Sequence, residues 1–337
     1  MKLPNTSLEF SHFPVMLQEV IEVCEPVKGK FFLDCTFGGG GYSSEILKHA
    51  ETKVIALDRD SFVINYANKI KKKFPERFFF YNEKFSNLEE VTKDIKIDTV
   101  IFDLGLSSFQ LKDLTRGFSF KSKDKLDMCM GLSSLSAEKI INTYSEKTLK
   151  QIIKVFGEEK EANRIVKRII RTRKEKKIST VSDLVEIIEK SKKKNFSKKI
   201  NVSTKTFQAL RIFVNKETTE LLNGITKATK ILKPGGKILI ISFHSIEDKI
   251  IKFFFKHYSA NRSNPSRYLP EIHNKSLVFF EDYKNHIITA SLKEIKKNPS
   301  SRSAKLRYAI RNNEEFYQPD ELLEKFKKYS ILEGTNE

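Results

Sequence analysis

The sequence predicts an α/β protein whose mostly parallel sheet ends in an antiparallel edge strand and is interrupted by an all-helical insert. From residue 30 to about residue 105, short apolar runs alternate with helical segments, the pattern of right-handed βαβ crossovers. The alternation resumes near residue 218, and residues 113–217 carry almost no strand signal. We therefore predict one split domain, residues 1–112 and 218–337, with residues 113–217 inserted.

Four short apolar runs are the strands predicted for the first half: "KFFLDCT", "KVIALD", "RFFFYN" and "DTVIFDLG". Two segments between them place apolar residues on one helical face, "SSEILKHA" and "FVINYANKIKKKF". Strands that alternate with helices run parallel, so their carboxyl ends meet at one edge of the sheet.

The second half continues the pattern. A helix predicted over residues 218–232 stops at "KPGG", and the fully apolar "KILIISFH" follows as a strand. The helix expected in "SIEDKIIKFFFKHY" has four residues on one face: Ile246, Ile250, Phe253 and His257. We interpret "SLVFFE", "HIITASL" and "KLRYAIR" as late strands that give the sheet its antiparallel edge.

The charge of the chain indicates a polyanionic partner. Its 62 Lys and Arg against 43 Asp and Glu leave a net charge of +19, of which residues 113–217 carry +13. Within them, the lysine-rich "KSKKKNFSKK" at 190–199 is either a phosphate-binding loop or a solvated surface loop. The sequence has no run of 18 apolar residues and no signal-peptide core, so we expect a cytoplasmic protein without a membrane partner.

The cysteines argue against two kinds of site. Cys24, Cys35 and Cys129 are odd in number, widely spaced and free of any C-x-x-C pair. We expect three reduced thiols, with neither a disulfide framework nor a zinc site.

A glycine-rich turn, "DCTFGGGG" at 34–41, follows the first strand. Glycine there lets a ligand approach amide groups that a Cβ would block. A dinucleotide fingerprint would need glycine in place of Ser43, and the Gly-Lys-Ser/Thr of a phosphate loop is absent. S-adenosylmethionine, which has no phosphate, fits better, because Asp58 ends the next strand 18 residues after Gly40 and can accept from both ribose hydroxyls.

On the turn alone, a tight strand-to-helix connection without a ligand is an open alternative. Asp58 and Asp103, which end two further strands, both favour a ligand site. The reason is that parallel sheets bind ligands beyond the carboxyl ends of their strands.

Ten segments carry a resemblance to a known family: "HFPVMLQEV" at 12–20, "DCTFGGGGYS", "ALDRD", "FDLGLSSFQL", "RGFSF", "LDMCM", "GEE" at 157–159, "TFQALRIFVN", "LKPGGKILIISFHSIEDKIIK" and "NPSSRSAKLR". Over residues 12–311 the chain resembles the bacterial ribosomal RNA small-subunit methyltransferase H family, which N4-methylates a cytidine in the decoding region of 16S rRNA. The resemblance implies a Rossmann-like, S-adenosylmethionine-dependent methyltransferase domain with an inserted helical domain. It also implies 16S rRNA, or the small ribosomal subunit, as the partner.

The resemblance assigns the cofactor contacts to Gly40, Gly41, Tyr42, Asp58, Phe85, Asp103 and Gln110. Phe85 is expected to cover the adenine face and Asp58 to accept from the ribose. Asp103 and Gln110 are expected to hold the methionine end. Without the surrounding motif, Phe85 would be interpreted as ordinary core.

The chain departs from the family pattern at three places. Tyr42 replaces the usual histidine, Cys129 replaces the usual arginine, and "NVSTKTFQ" replaces "HPATRTFQ", which introduces Asn201 and Lys205. Loss of an arginine removes a bidentate contact that cysteine cannot replace. The departures therefore bear on the details of substrate contact.

Two carboxylates are candidates for catalysis. The N4 amine of cytosine is a poor nucleophile because its lone pair is delocalised into the ring, and a carboxylate can accept from that amine. Asp103 is near the cofactor by motif, and Asp127 in "LDMCM" is the second candidate. Asp127 could equally cap a helix or pair with a lysine.

His244 follows "LIISF" and is expected to face the crevice and contact the substrate. The adjoining "SIED" also fits a capping box from Ser245 to Asp248. A metal site made of His244, Glu247 and Asp248 is rejected, because it lacks further ligands and methyl transfer gives a cation nothing to do.

The predicted substrate contacts are Arg116, His244, Arg302, Lys305 and Arg307. The last three and the basic insert are expected to hold the RNA backbone and to make binding salt-dependent, although a solvated role is commoner for any single basic residue. The cytidine must leave its stack to reach the pocket.

Two other functions share parts of this pattern. A methyltransferase of a protein substrate would have the glycine turn and Asp58 without needing a basic insert. A non-catalytic ribosome-assembly factor would keep the fold and charge while tolerating loss of cofactor contacts. The sequence leaves the oligomeric state, monomer or homodimer, open.

Overall fold

The sheet has seven strands among the residues that the structure describes. The structure is a computed structural model, and it describes residues 14–26, 30–133, 135–192, 201–260 and 278–337. The strands are β1 Phe31–Asp34, β2 Lys53–Leu57, β3 Phe78–Tyr81, β4 Ile97–Asp103, β5 Leu232–Ser242, β6 Ile288–Thr289 and β7 Lys305–Ile310. Their order across the sheet is β3-β2-β1-β4-β5-β7-β6.

The first five strands are parallel, and β7 is antiparallel to both β5 and β6. The sheet therefore confirms the predicted fold class. The strand order runs outward from β1 in one direction and from β4 in the other. The β1–β4 pair is thus the topological switch point, where open α/β sheets bind ligands beyond the strand ends.

Fourteen helices belong to the described part of the chain: α1 Leu17–Cys24, α2 Gly41–Ile46, α3 Ile64–Lys73, α4 Leu88–Thr92, α5 Ser108–Lys112, α6 Ala137–Thr143, α7 Glu146–Phe156, α8 Ala162–Glu175, α9 Val181–Ser191, α10 Thr204–Asn215, α11 Glu217–Ile231, α12 Ser245–His257, α13 Leu292–Lys297 and α14 Asp320–Glu333. In those same ranges, no helix combines the length and the apolar composition needed to cross a bilayer.

Helices α6 to α10 lie between β4 and β5, where the sequence predicts the helical insert. Their apolar faces share one hydrophobic cluster with the sheet, which includes Leu149 of α7 and Phe102 of β4. Glu158 ties this region to α12, because its carboxylate accepts hydrogen bonds from Ser245 at 2.7 Å and Lys249 at 2.6 Å. The division into two domains at 113–217 stays a prediction.

Two of the predicted strands differ in the structure. β5 begins at Leu232, ahead of "KPGG", because Leu232 pairs with Ile97 before a β-bulge. "SLVFFE" forms only isolated bridges, at Phe280, within the described residues. The lysine-rich loop predicted at 190–199 lies largely within residues 193–200, which are outside the described residues.

The buried face of α12 is also rotated relative to the prediction. Ile246, Ile250 and Phe254 are fully buried, whereas Phe253 and His257 are only partly buried. The two partly buried rings stack on each other at 4.7 Å. They differ from the prediction because α14 covers that side of the helix only in part.

Candidate active site

A crevice opens at the carboxyl ends of β1, β2, β4 and β5. Its volume, including the space at its open mouth, is about 1240 Å³. Most of the predicted cofactor residues line it: Gly41, Tyr42, Asp58, Phe85, Asp103 and Gln110. The strand order thus gathers residues that are up to 69 positions apart in the chain.

The glycine turn forms one wall of the crevice. Gly38 and Gly39 line it, and the amide of Gly38 donates to Oδ2 of Asp58 over 2.8 Å. Gly40 does not line it and has a φ of 74°. A Cβ on Gly40 would lie 2.5 Å from Ile70, so this glycine serves the turn and its packing. The contact assigned to Gly40 by resemblance is not supported by its position.

Asp58 is anchored by the backbone around it. Its oxygens accept from the amides of Gly38 and Asp60, each at 2.8 Å. Burial raises the pKa of Asp58 to about 6, although both hydrogen bonds act to lower it. Each carboxylate oxygen keeps a second lone pair, so Asp58 can still accept from a ligand hydroxyl in the crevice.

Phe85 holds its ring in the crevice wall by contact with two residues. It meets Phe102 edge to face, with ring centroids 5.3 Å apart. It also packs on Gly224 of α11, where a Cβ would lie 2.6 Å from the Phe85 ring. Glycine in a helix interior costs about 1 kcal/mol relative to alanine, so this glycine has a packing reason. The helix leaves space for the ring.

Asp103 ends β4 at the middle of the crevice. Its Oδ2 lies 3.2 Å from the hydroxyl of Tyr42, and the single hydrogen of that hydroxyl has a second acceptor in the carbonyl of Val15. Its Oδ1 is buried and has no hydrogen-bond partner among the described residues. Burial raises the pKa of Asp103 to about 8. A donor from a ligand would satisfy Oδ1 and reverse that shift.

Gln110 and Arg116 converge on the buried carboxylate of Asp60. Nε2 of Gln110 donates to Oδ2 at 2.8 Å, and Nη1 of Arg116 lies 2.5 Å from the same oxygen. Oε1 of Gln110 accepts from Ser107 in a capping box, and Nη2 of Arg116 donates to the carbonyl of Cys129. Both side chains therefore brace the wall. Arg116, predicted to contact the substrate, is committed to this structural pair.

Comparison with known proteins identifies the family of this chain. A model of the MraW methylase family matches residues 9–312. The chain belongs to the MraW methylase family. The match confirms the predicted resemblance and the methyltransferase activity that it implies.

Curated relatives agree with this family along nearly their whole length. The chain is 41% identical over 304 residues to the ribosomal RNA small subunit methyltransferase H of Ehrlichia canis, which covers 89% of this chain and 99% of the relative. The protein of the same name from Rickettsia canadensis is 44% identical over 307 residues, covering 90% and 98%. That from Bartonella grahamii is 39% identical over 323 residues, covering 96% of both chains.

This MraW-family crevice also contains three carboxylates that the sequence analysis missed as site residues, Glu217, Glu220 and Glu247. Arg211 of α10 forms two hydrogen bonds with Glu217, both 2.8 Å long. Oε2 of Glu220 is buried without a partner in the described ranges. Glu217 and Glu220 lie one turn apart at the start of α11, but nothing local in the sequence shows that this turn reaches the strand ends.

The capping box of α12 is shifted by one residue from the prediction. His244, not Ser245, is the N-cap, and its Nδ1 accepts from the amide of Glu247 at 3.5 Å. Oε2 of Glu247 accepts in return from the amides of Phe243 and His244. Asp248 instead pairs with β7. The H-x-x-E spacing is the signal that could have identified Glu247.

Asp127 does not line the crevice. Its carbonyl accepts from the amide of Ala137 at the start of α6, and the thiol of Cys129 contacts the carbonyl of Leu135 at 3.1 Å. Burial raises the pKa of Cys129 to about 12, and the thiol, like Cys24 and Cys35, is free of disulfides. The structure gives the catalytic assignment of Asp127 no geometric support.

The two remaining departures from the family pattern make contacts of their own. Lys205 donates to the carbonyl of Glu158 at 2.9 Å, and Oδ1 of Asn201 accepts from the amide of Ser203 at 2.8 Å. Both contacts are within the helical region and neither residue lines the crevice.

The predicted RNA contacts near β7 differ in their exposure to solvent and in their ion pairs. Arg302 is exposed. Lys305 is partly exposed and lies 2.9 Å from Asp248. Arg307 is 2% exposed, and its guanidinium donates to Asp248 at 2.8 Å and to the hydroxyl of Tyr283 at 3.0 Å. The structure does not support an RNA-backbone role for Arg307, because its guanidinium is buried and bound to Asp248 and Tyr283.

The residues of the crevice fit S-adenosylmethionine. Five carboxylates line it, which suits a ligand with a sulfonium and an ammonium: Asp58, Asp103, Glu217, Glu220 and Glu247. Two of them, Asp103 and Glu220, have buried oxygens that lack a donor within the described residues. An apolar ring and bare glycine backbone supply the walls that an adenosine requires.

Proposed function

We propose that this chain transfers a methyl group from S-adenosylmethionine to N4 of a cytidine in the decoding region of 16S rRNA. The family match over residues 9–312 carries the proposal, together with the carboxylates of Asp58 and Asp103 in the crevice wall. The relatives that the chain matches are named for methylating small-subunit ribosomal RNA.

The chain's own residues bind and orient both reactants. Asp58 would accept from the ribose, Phe85 would cover the adenine, and Asp103 would accept from the methionine end. When bound, S-adenosylmethionine supplies a methyl carbon that is electrophilic because it is attached to a sulfonium. The rigid walls contribute by positioning, which can supply several kcal/mol of a barrier of this kind.

The charge of the helical region supports an RNA partner. Five basic residues form an exposed row on α8 at helical spacing: Arg164, Lys167, Arg168, Arg171 and Lys174. Only the first and fourth have carboxylate partners on the helix or its cap, Glu161 and Glu175, in the described part of the chain. The row would contact phosphates and would make binding depend on salt concentration.

Tritium transfer tests this function. The purified protein is incubated with labelled S-adenosylmethionine and small ribosomal subunits that lack the modification, and the labelled nucleotide is mapped. Label at N4 of one cytidine in 16S rRNA supports the proposal. Label in ribosomal protein alone would favour a protein methyltransferase, and no label with intact cofactor binding would favour an assembly factor.

A further inference from the structure

A second carboxylate in the crevice is held in a fixed orientation by its surroundings. Oε2 of Glu247 accepts from the amide of Phe243 at 2.8 Å and from that of His244 at 3.3 Å. Oε1 lies 3.1 Å from Nε2 of His244, and that nitrogen makes no hydrogen bond within the described residues. Because Nδ1 of His244 accepts from a backbone amide, Nε2 carries the hydrogen in the neutral ring. Oε1 is therefore the oxygen left for a substrate.

The charges around Glu247 favour its anionic form. Burial alone would raise its pKa, but His244 and Arg211 outweigh burial and hold the pKa below the ordinary value for glutamate. The other charged groups that face it are Glu217 from α11 and Asp103 from β4. Arg211 is bound to Glu217, and Asp103 has a raised pKa. Near neutral pH, Glu247 is thus a charged acceptor.

The strand order places Glu247 on the side of the crevice left for the base. Asp58 follows β2 and the glycine turn follows β1, so the adenosine end lies on that side of β4. Glu247 follows β5, on the opposite side of β4. Asp103, at the end of β4, separates the two. A cytosine that meets the methyl group from the open side would approach Glu247.

We infer that Glu247 is the catalytic base that takes the proton from the N4 amine of cytosine, with His244 as its positioning residue. The inference rests on the proposed function. The N4–H bond would break and an Oε1–H bond would form. The methyl carbon would exchange its bond to sulfur for the bond to N4, and the electron pair of the S–C bond would stay on sulfur in the departing S-adenosylhomocysteine. The electron pair of the N–H bond stays on N4, where it replaces the pair that N4 gives to the new bond with the methyl carbon. Asp103 remains with the cofactor.

An alternative explanation of the same residues is a cation site. Ligand atoms of Glu217, His244 and Glu247 lie within 4.8 Å of one another. The guanidinium of Arg211, however, already occupies both oxygens of Glu217. A second positive charge beside it would be repelled. The cluster is better explained as an Arg211–Glu217 ion pair beside Glu247, whose Oε1 is free to accept from a substrate.

The test compares Glu247→Gln with the wild type in single-turnover methylation of unmodified small ribosomal subunits. Glutamine keeps the acceptor for the Phe243 and His244 amides but cannot take a proton. We expect the rate to fall about 100-fold, in the range for loss of a general base. The dissociation constant for S-adenosylhomocysteine, measured by calorimetry, should stay within about threefold of wild type. Asp183→Asn, at the same N3 position of the α9 capping box, calibrates the effect of such a change on Tm.

His244→Gln tests the positioning role through the pH–rate profile. Without the histidine the pKa of Glu247 rises, so the acid limb of the profile should move to higher pH. A Glu247→Gln rate within about threefold of wild type would overturn the inference. If wild-type protein labels no cytidine, the proposed function fails and this inference with it. If it labels cytidine and Glu247→Gln does so equally well, only the inference fails.

Discussion

Oδ2 of Asp103 lies 3.2 Å from the hydroxyl of Tyr42, whereas Oδ1 of the same carboxylate is buried without a partner among the described residues. The pair joins the glycine turn to the end of β4. The single hydroxyl hydrogen of Tyr42 also has the carbonyl of Val15 as an acceptor, so it cannot satisfy a carboxylate that can accept several donors. Asp103 therefore lacks the hydrogen-bond donors that its anionic form needs.

Proton release on ligand binding should follow from that shortage of donors. Burial raises the pKa of Asp103 to about 8, so the free protein holds this carboxyl protonated at pH 7. The ammonium of S-adenosylhomocysteine favours the anion and should expel close to one proton. Affinity should then weaken as pH falls from 8 to 6, by up to tenfold per pH unit. Calorimetry in two buffers of different ionisation enthalpy measures the proton count.

The matched variant is Asp103→Asn, which should bind without releasing a proton and with a flat pH dependence over the same range. Asp58→Asn should keep the release at pH 7, because the pKa of Asp58 is only about 6. Equal proton release by wild type and Asp103→Asn would contradict the prediction.

Gly224→Ala should weaken cofactor binding through Phe85. A Cβ at position 224 would lie 2.6 Å from the Phe85 ring, so the ring must move out of the crevice wall. An aromatic packing interaction of this kind is worth about 1 kcal/mol or somewhat more, which is close to a tenfold rise in the dissociation constant. Calorimetry with S-adenosylhomocysteine measures it.

Phe85→Ala is the control that shows whether Gly224→Ala acts through the Phe85 ring. Because both changes act on one ring, the double variant should bind about as weakly as Phe85→Ala alone. Additive effects would show that Gly224 acts by another route.

Asp248→Asn should destabilise the fold by leaving Arg307 without its carboxylate. Arg307 is 2% exposed and Asp248 is 17% exposed, so the pair is largely shielded from water. Breaking a buried pair of this kind costs about 3 kcal/mol or more. Lys305 is the other partner of Asp248, and its side chain is 43% exposed. Lys305→Ala should therefore lower the free energy of unfolding by less than about 1 kcal/mol. Urea unfolding compares the two, and equal destabilisation would count against a structural role for Arg307.

The exposed row on α8 should set the salt dependence of RNA binding. The triple variant Lys167→Ala, Arg168→Ala, Lys174→Ala removes three exposed cations. The slope of log K against log salt should shrink by about one for each phosphate that the variant no longer neutralises. Filter binding of small subunits at several salt concentrations gives the slope. The matched triple Lys69→Ala, Lys72→Ala, Lys73→Ala on α3 should leave it unchanged, and an equal effect of both triples would mean that only net charge matters.

Local sequence determined much of this protein. The apolar runs fixed the parallel strands, "DCTFGGGG" fixed the turn after β1, and the acidic strand ends Asp58 and Asp103 predicted where the crevice opens. These features depend on residues that are neighbours in the chain. Periodicity and glycine chemistry are local properties, so they are visible without a structure.

Tertiary structure alone decided which charged groups are free. Arg307 and Arg116 are basic residues in family motifs, yet each is bound to a carboxylate on a distant segment, Asp248 and Asp60. The sequence analysis names Glu247 only in a rejected metal site, and only the order of β4 and β5 shows that it reaches the crevice. Pairing and burial depend on which segments meet across the fold, and the free energy of a charge depends on both.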